Sequence, residues 1–198
     1  MTAFVLATHN QHKVDEFRQM LSARIPGFEL VAYDGPEPIE DGDSFAANAL
    51  IKARAAAQHT GLPALADDSG LVVHALDGAP GILSARWAGE PKSDQRNLEL
   101  VLEQMSAVPA AERAAAFVCC IAVVWPSTAS DAGREMTVEA RWSGTLATAP
   151  RGENGFGYDP IFVPDGLSVT SAEMSPAEKN DQSHRARALE LLADVLTQ

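Results

Sequence analysis

Apolar side chains recur along this chain with two spacings, alternate positions in some stretches and every third or fourth in others. Ala3 to Ala7 is a short apolar run ending at Thr8-His9-Asn10, after which Val14, Phe17, Leu21 and Ile25 recur at helical spacing. That pattern predicts strand, polar turn and helix. Glu29 to Tyr33 fits a second strand, and Asp34 to Gly42, rich in Pro, Gly and acidic side chains, reads as loop. Asp43 or Ser44 is placed to cap a helix through Phe45, Asn48, Ala49 and Lys52 to about Thr60. It stops at Gly61, the residue type that most readily takes the left-handed conformation of a helix end.

Leu62 to Ala66 is a short apolar strand that the polar run Asp67-Asp68-Ser69-Gly70 is expected to break, with Leu71-Val72-Val73 resuming extended structure after a turn. Gly78-Ala79-Pro80-Gly81 reads as loop. Asp94 opens a helix whose apolar face is Leu98, Val101, Leu102 and Met105. Ala114 to Trp125 and Glu135 to Leu146 are β-like runs joined by the Ser, Thr, Asp and Gly of Pro126 to Arg134, a solvated hairpin connection. Arg151 to Gly157 is a glycine-bearing loop before a strand at Ile161 to Val163. Ser183 to Leu196 closes the chain as an amphipathic helix with Leu189, Leu192 and Leu196 inward. Strands and helices alternate loosely and a long hairpin intervenes, so a mixed sheet flanked by helices is expected, in an α/β fold.

A chain of 198 residues with 46% hydrophobic content buries one sizeable core, and one compact domain over 1–198 is the default expectation. Cys119 and Cys120 are adjacent in an apolar run, where strand geometry sends them to opposite faces, so they read as reduced core thiols. No signal segment and no apolar run of membrane length is visible, which points to a cytoplasmic protein with no membrane partner. A net charge of -12 argues against a nucleic-acid polymer, whose binding needs many cations. A small polyanion needs only a few, and three of the four lysines, Lys13, Lys52 and Lys179 but not Lys92, fall in the segments below.

The turn from Thr8 through His9, Asn10, Gln11 and His12 to Lys13 joins a strand to a helix N-terminus, where backbone N–H groups and the helix dipole favour an anion. Read alone, it fits a phosphate site or a plain helix cap with a solvated lysine. Glu40 in the acidic loop and Asp68 after the strand offer the oxygen ligands that Mg²⁺ prefers, although Asp-Ser-Gly is also an ordinary surface bend. Lys52, on the helical face of Asn48, is placed to balance charge or touch phosphate. Phe156-Gly157-Tyr158-Asp159 sets aromatic rings beside a glycine, a platform for stacking a base or part of a core strand. Lys179, His184 and Arg185 bring donors that suit a 6-oxo purine and would reject adenine, or else are surface charges.

In order, Thr8-x-Asn10-x-x-Lys13, Glu40, Phe45-x-x-Asn48-Ala49-x-x-Lys52-Ala53 and Ala66-Asp67-Asp68-Ser69-Gly70-Leu71 open a longer series. It continues with Gly78-Ala79-Pro80-Gly81, Ser84-Ala85-Arg86, Gly155-Phe156-Gly157-Tyr158-Asp159-Pro160, Glu178-Lys179 and Ser183-His184-Arg185. Together these resemble the inosine/xanthosine triphosphate pyrophosphatase family over nearly the whole chain. The resemblance implies an elongated mixed sheet with two lobes, the active site in the cleft, a homodimer, and Mg²⁺ as cofactor. Thr8 to Lys13 and Lys52 would hold phosphates. Glu40 and Asp68 would bind metal, with Asp68 also the base for water, and Ser69 would touch substrate. Phe156 to Asp159, Lys179, His184 and Arg185 would form the base pocket.

The implied reaction is attack of a carboxylate-activated water on a purine nucleoside triphosphate such as ITP, dITP or XTP, releasing pyrophosphate. His9 stands where that family commonly has Gly. The alternatives are a nucleotide-binding sensor without chemistry, and an enzyme for modified pyrimidine nucleotides, whose Ser-x-Ser-x-Arg-Arg loop is missing here. No zinc spacing, Gly-x-Ser-x-Gly elbow, Walker loop or dinucleotide fingerprint is present.

Overall fold

The computed structural model describes residues 3–127 and 132–197, without the side chain of His12. Its main elements run β1 (Phe4–Leu6), α1 (Gln11–Arg24), β2 (Leu30–Ala32), α2 (Phe45–Thr60), β3 (Ala64–Val73), α3 (Asp94–Gln104), β4 (Ala114–Trp125), β5 (Arg134–Leu146), β6 (Phe162–Pro164), α4 (Pro176–Gln182) and α5 (His184–Leu196). The strands form one six-stranded sheet in the order β2-β1-β3-β4-β5-β6. β1 pairs in parallel with β2 and β3, whereas β5 and β6 are antiparallel, so the sheet is mixed as the pattern predicts.

The residues group into two compact units, one of Met1–Asp68, Cys119–Ala140 and Ala186–Gln198, the other of Ser69–Val118 and Arg141–Arg185. In the first, the two faces of the strands have separate cores. Leu6, Leu65, Cys119, Ile121 and Val123 pack with Phe17 and Leu21 of α1 and Leu189 and Leu192 of α5. Cys120, Ala122 and Val124, one residue out of step, pack instead with Ala49, Ala53, Ala56 and Ala57 of α2. This is the period-two alternation expected of a strand, and it places the two adjacent thiols on opposite faces. Leu196 is only half-buried against its core. In the second unit, Leu98 and Val101 of α3 and its C-cap residue Met105 pack with Leu71, Val73, Phe117, Trp142 and Phe162, each fully buried Leu or Phe contributing about 1.5–3 kcal/mol.

Helix ends follow the predicted chemistry. Ser44, not Asp43, caps α2 by accepting a bond from the Ala47 N–H, and Gly61 ends it in the left-handed conformation at φ 71°. Two segments depart from the sequence reading. Asp67-Asp68-Ser69-Gly70 is no turn: β3 runs unbroken through it. The two carboxylates are met by Lys13, Asn48 and Lys52 of neighbouring helices, and Gly70 is needed because a Cβ there would stand 2.4 Å from the Gly81 carbonyl oxygen. Lys179 sits in a short helix that the sequence reading did not identify, α4, which starts from a capping box of Ser175 and Glu178. The tip of the Pro126 to Arg134 connection, residues 128–131, lies outside the described residues. No helix among the described residues is long and apolar enough to cross a membrane.

Candidate active site

In the first unit, the turn between β1 and α1 is organised by its own side chains. Thr8 Oγ1 accepts from the Asn10 N–H at 3.2 Å, and Asn10 Oδ1 accepts from the Lys13 N–H at 3.4 Å, so Asn10 caps α1. Lys13 is held rather than free at the surface: its Nζ lies 3.0 Å from both carboxylate oxygens of Asp67, whose side chain is 2% exposed. The Gln11 amide is turned to Asp15 at 2.9 Å, on the exposed face of α1. The side chain of His12 lies outside the described residues.

Asp68, one step along β3, faces the other way, toward α2. Asn48 Nδ2 donates to its Oδ2 at 3.1 Å, and Lys52 Nζ stands 3.7 Å from its Oδ1 and 3.3 Å from Glu40 Oε1. The i, i+4 spacing of Asn48 and Lys52 brings both to one carboxylate. Asn48 also accepts from the Gly42 N–H at 2.9 Å, which fixes the end of the acidic loop against the same group. Burial pushes the Asp68 carboxyl above the ordinary range of its type, against the pull of Lys52 and the Asn48 hydrogen bond, with Glu40 and Asp67 adding repulsion. A cavity of about 150 Å³ is lined by Thr8, Lys13, Tyr33, Glu40, Lys52 and Asp67 among others. Two cations and several carboxylates facing one small space suit a phosphate accompanied by a hard cation.

The second unit carries the aromatic and cationic residues. The Phe156 ring is 66% exposed, while Tyr158 is 5% exposed and donates from its hydroxyl to the Ser84 carbonyl at 2.8 Å. Tyr158 therefore takes the core position that its residue type commonly has, and its ring is not a stacking surface. Asp159 is buried and organises the loop: its Oδ2 accepts from the Phe156 N–H at 2.8 Å and from Lys179 Nζ, and its Oδ1 from the Ser171 hydroxyl at 2.8 Å. Lys179 Nζ in turn lies 5.1 Å from the centre of the Phe156 ring. The Gly157 N–H is held by Asp94 of α3 at 3.0 Å. His184 stacks on Phe117 at 4.9 Å with 14° between planes, and His184 and Arg185, at the start of α5, are both buried rather than surface charges. Ser69 follows Asp68 in the same strand and is half-buried.

Three residues outside the sequence-predicted set hold the functional groups in place: Asp67, Asn48 and Asp94. Asn48 was visible in its spacing to Lys52. Asp67 becomes visible once β3 is unbroken, because adjacent strand residues face opposite sides.

The chain is similar to known proteins over nearly its whole length. It is 53% identical over 196 residues to a dITP/XTP pyrophosphatase of Leifsonia xyli subsp. xyli, covering 99% of this chain and 96% of that one. Its structure superposes on that of a HAM1 protein from Coxiella burnetii with a TM-score of 0.89 at 43% identity, over 100% of this chain and 99% of the other. It superposes on a nucleoside-triphosphatase, dITP/XTP pyrophosphatase, from Mycobacterium abscessus with a TM-score of 0.81 at 47% identity, over 96% and 98% of the two chains. The model of the Ham1 family matches residues 4–195, which takes in both sets of side chains, and the chain belongs to that family.

Proposed function

We propose that this chain hydrolyses non-standard purine nucleoside triphosphates, those of inosine, deoxyinosine and xanthosine, to the monophosphate and pyrophosphate. The observation that carries the proposal is Asp68: a desolvated carboxylate held by Asn48 and Lys52, with Glu40 on the same lysine. The printed names of the relatives from Leifsonia xyli and Mycobacterium abscessus support the same substrate class.

The donor set fits Mg²⁺, which binds through one or two carboxylates and completes its shell with water and phosphate oxygens. Glu40 and Asp68 would hold the ion, which when bound draws charge from the phosphate oxygens and the leaving pyrophosphate. The chain's own groups do the rest. Lys13, with the N-terminus of α1, and Lys52 hold the phosphates. Asp68 takes a proton from the attacking water, and its raised basicity suits that work. As the water oxygen bonds to one phosphorus of the α–β bridge, the bond from that phosphorus to the bridging oxygen breaks, giving the monophosphate and pyrophosphate with no covalent enzyme intermediate. In the second unit Phe156 offers an exposed face for a base. Lys179, His184 and Arg185 supply donors toward a 6-oxo group. We further assign the enzyme to the cytoplasm and to a homodimer.

The test is a panel of ITP, dITP, XTP, GTP and ATP, each with and without Mg²⁺. Metal-dependent turnover with kcat/KM for ITP or XTP well above that for ATP is expected. Binding of ITP without turnover would replace the enzyme by a nucleotide sensor, and equal use of ATP would remove the assigned base selectivity.

A further inference from the structure

His9 occupies the phosphate turn, yet its ring does not line the cavity that Thr8 and Lys13 line. It reaches back to the acidic loop instead. Nε2 lies 2.9 Å from the Gly35 carbonyl oxygen and Nδ1 lies 3.2 Å from Glu37 Oε1. Both partners are acceptors, so an N–H at either ring nitrogen finds a partner in the acidic loop. The ring also stacks on Tyr33 at 5.8 Å with 11° between planes, and the Tyr33 hydroxyl donates to the Pro36 carbonyl at 2.9 Å. His59 of α2 packs edge-on against the same phenol at 5.7 Å. The first half of the loop is thus wrapped on a buried tyrosine on whose ring His9 stacks.

We infer that His9 is a positioning residue: it fastens the acidic loop to the phosphate turn and thereby sets where Glu40 stands. Glu37 and Glu40 are separated only by Pro38 and Ile39. Glu37 is held by His9 from the turn and Glu40 by Lys52 from α2, at 3.3 Å, so the short segment between them is tethered at both ends. Pro38 adds stiffness, since its φ is fixed. Releasing His9 frees one tether and lets the segment that carries Glu40 move. The cost does not come from backbone strain at position 9, because Asp77 is the only non-glycine residue with positive φ among the described residues. His9 therefore needs none of glycine's conformational freedom, and a change to Ala isolates the imidazole.

The kinetic half of this inference rests on the proposed reaction; the structural half does not. The experiment compares wild type, His9→Ala, Glu37→Gln and the double variant in two ways. The first is amide hydrogen exchange over residues 34–42 in metal-free protein. The second is the Mg²⁺ concentration for half-maximal ITP hydrolysis, measured beside kcat. His9→Ala should speed exchange in that segment and raise the half-saturating metal about twofold to fivefold, the range an exposed ion pair carries, with kcat at saturating metal moved less. The double variant should exchange no faster than His9→Ala, because both changes remove one shared contact. Unchanged exchange in His9→Ala, or effects that add in the double variant, would overturn the inference. So would a fall in kcat with the metal requirement unmoved, which would put His9 on the substrate. If wild type hydrolyses no ITP, the proposed reaction fails, and the exchange result still decides the tether.

Discussion

Both carboxylate oxygens of Asp67 lie 3.0 Å from Nζ of Lys13, while the next residue, Asp68, turns to Lys52 on the other side of the strand. One unbroken strand therefore presents two adjacent carboxylates, each to a lysine from a different helix. The alternation of β3 divides their contacts: Asp67 fixes the ammonium of the turn between β1 and α1, and Asp68 stays with Asn48 and with Lys52, which it shares with Glu40.

The Asp67–Lys13 pair makes an order of stabilities. Removing Lys13 alone leaves a carboxylate 2% exposed without its cation, which costs about 3 kcal/mol, the low end for a buried pair because the lysine is partly solvated. Lys13→Met should therefore unfold at lower denaturant than wild type, and Lys13→Met with Asp67→Asn should recover part of the loss. A double variant less stable than Lys13→Met would show that Asp67 is needed for something other than its lysine.

Asp68 carries the opposite sign. Its carboxyl titrates at 3.8 when unperturbed and higher in the folded protein, chiefly from burial. The folded state thus holds more protons from pH 3.8 up to the raised value, and the stability due to this group is full below that window and lost as pH rises through it. In metal-free protein, Asp68→Asn should match wild type at the acid end and exceed its thermal midpoint at neutral pH. Midpoints that converge toward neutrality would contradict the shift. Such a gain in stability with loss of turnover is the usual trade at a functional carboxylate.

Asp159 is the organising group of the aromatic loop, accepting from the Phe156 N–H, the Ser171 hydroxyl and Lys179. Asp159→Ala leaves these donors without their acceptor and should cost about 2–4 kcal/mol by chemical denaturation. Lys179→Met removes one donor only, so it should cost less. Equal losses would place the energy in the ion pair alone and not in the loop.

Most of the architecture could be read from periodicity, because strands and helices here each bury a face at the regular spacing. Cys119 and Cys120 are the simplest case, read as opposite-facing core thiols and found in separate cores. The run Asp67 to Gly70 could not be read, since those residue types favour turns when considered locally. What holds them in a strand comes from far along the chain: Lys13, Asn48 and Lys52 for the carboxylates, Gly81 and Ser84 for the close approach at Gly70. The short helix that carries Lys179 was missed for a different reason. The capping signal Ser175 to Glu178 was present in the sequence, but α4 has only 7 residues, too few for hydrophobic periodicity to mark it. The turn at Thr8 to Lys13 fitted two readings, and the geometry combines them: Asn10 is an ordinary cap, and Lys13 is a held cation facing a cavity.

The most direct test of the central claim is phosphorus NMR of the products formed from ITP and Mg²⁺ by wild type and by Asp68→Asn, with ITP binding measured for both. Wild type should give IMP and pyrophosphate in equal amounts with no inorganic phosphate, and Asp68→Asn should bind ITP yet form neither product. Release of inorganic phosphate with IDP, or undiminished pyrophosphate from Asp68→Asn, would contradict the account.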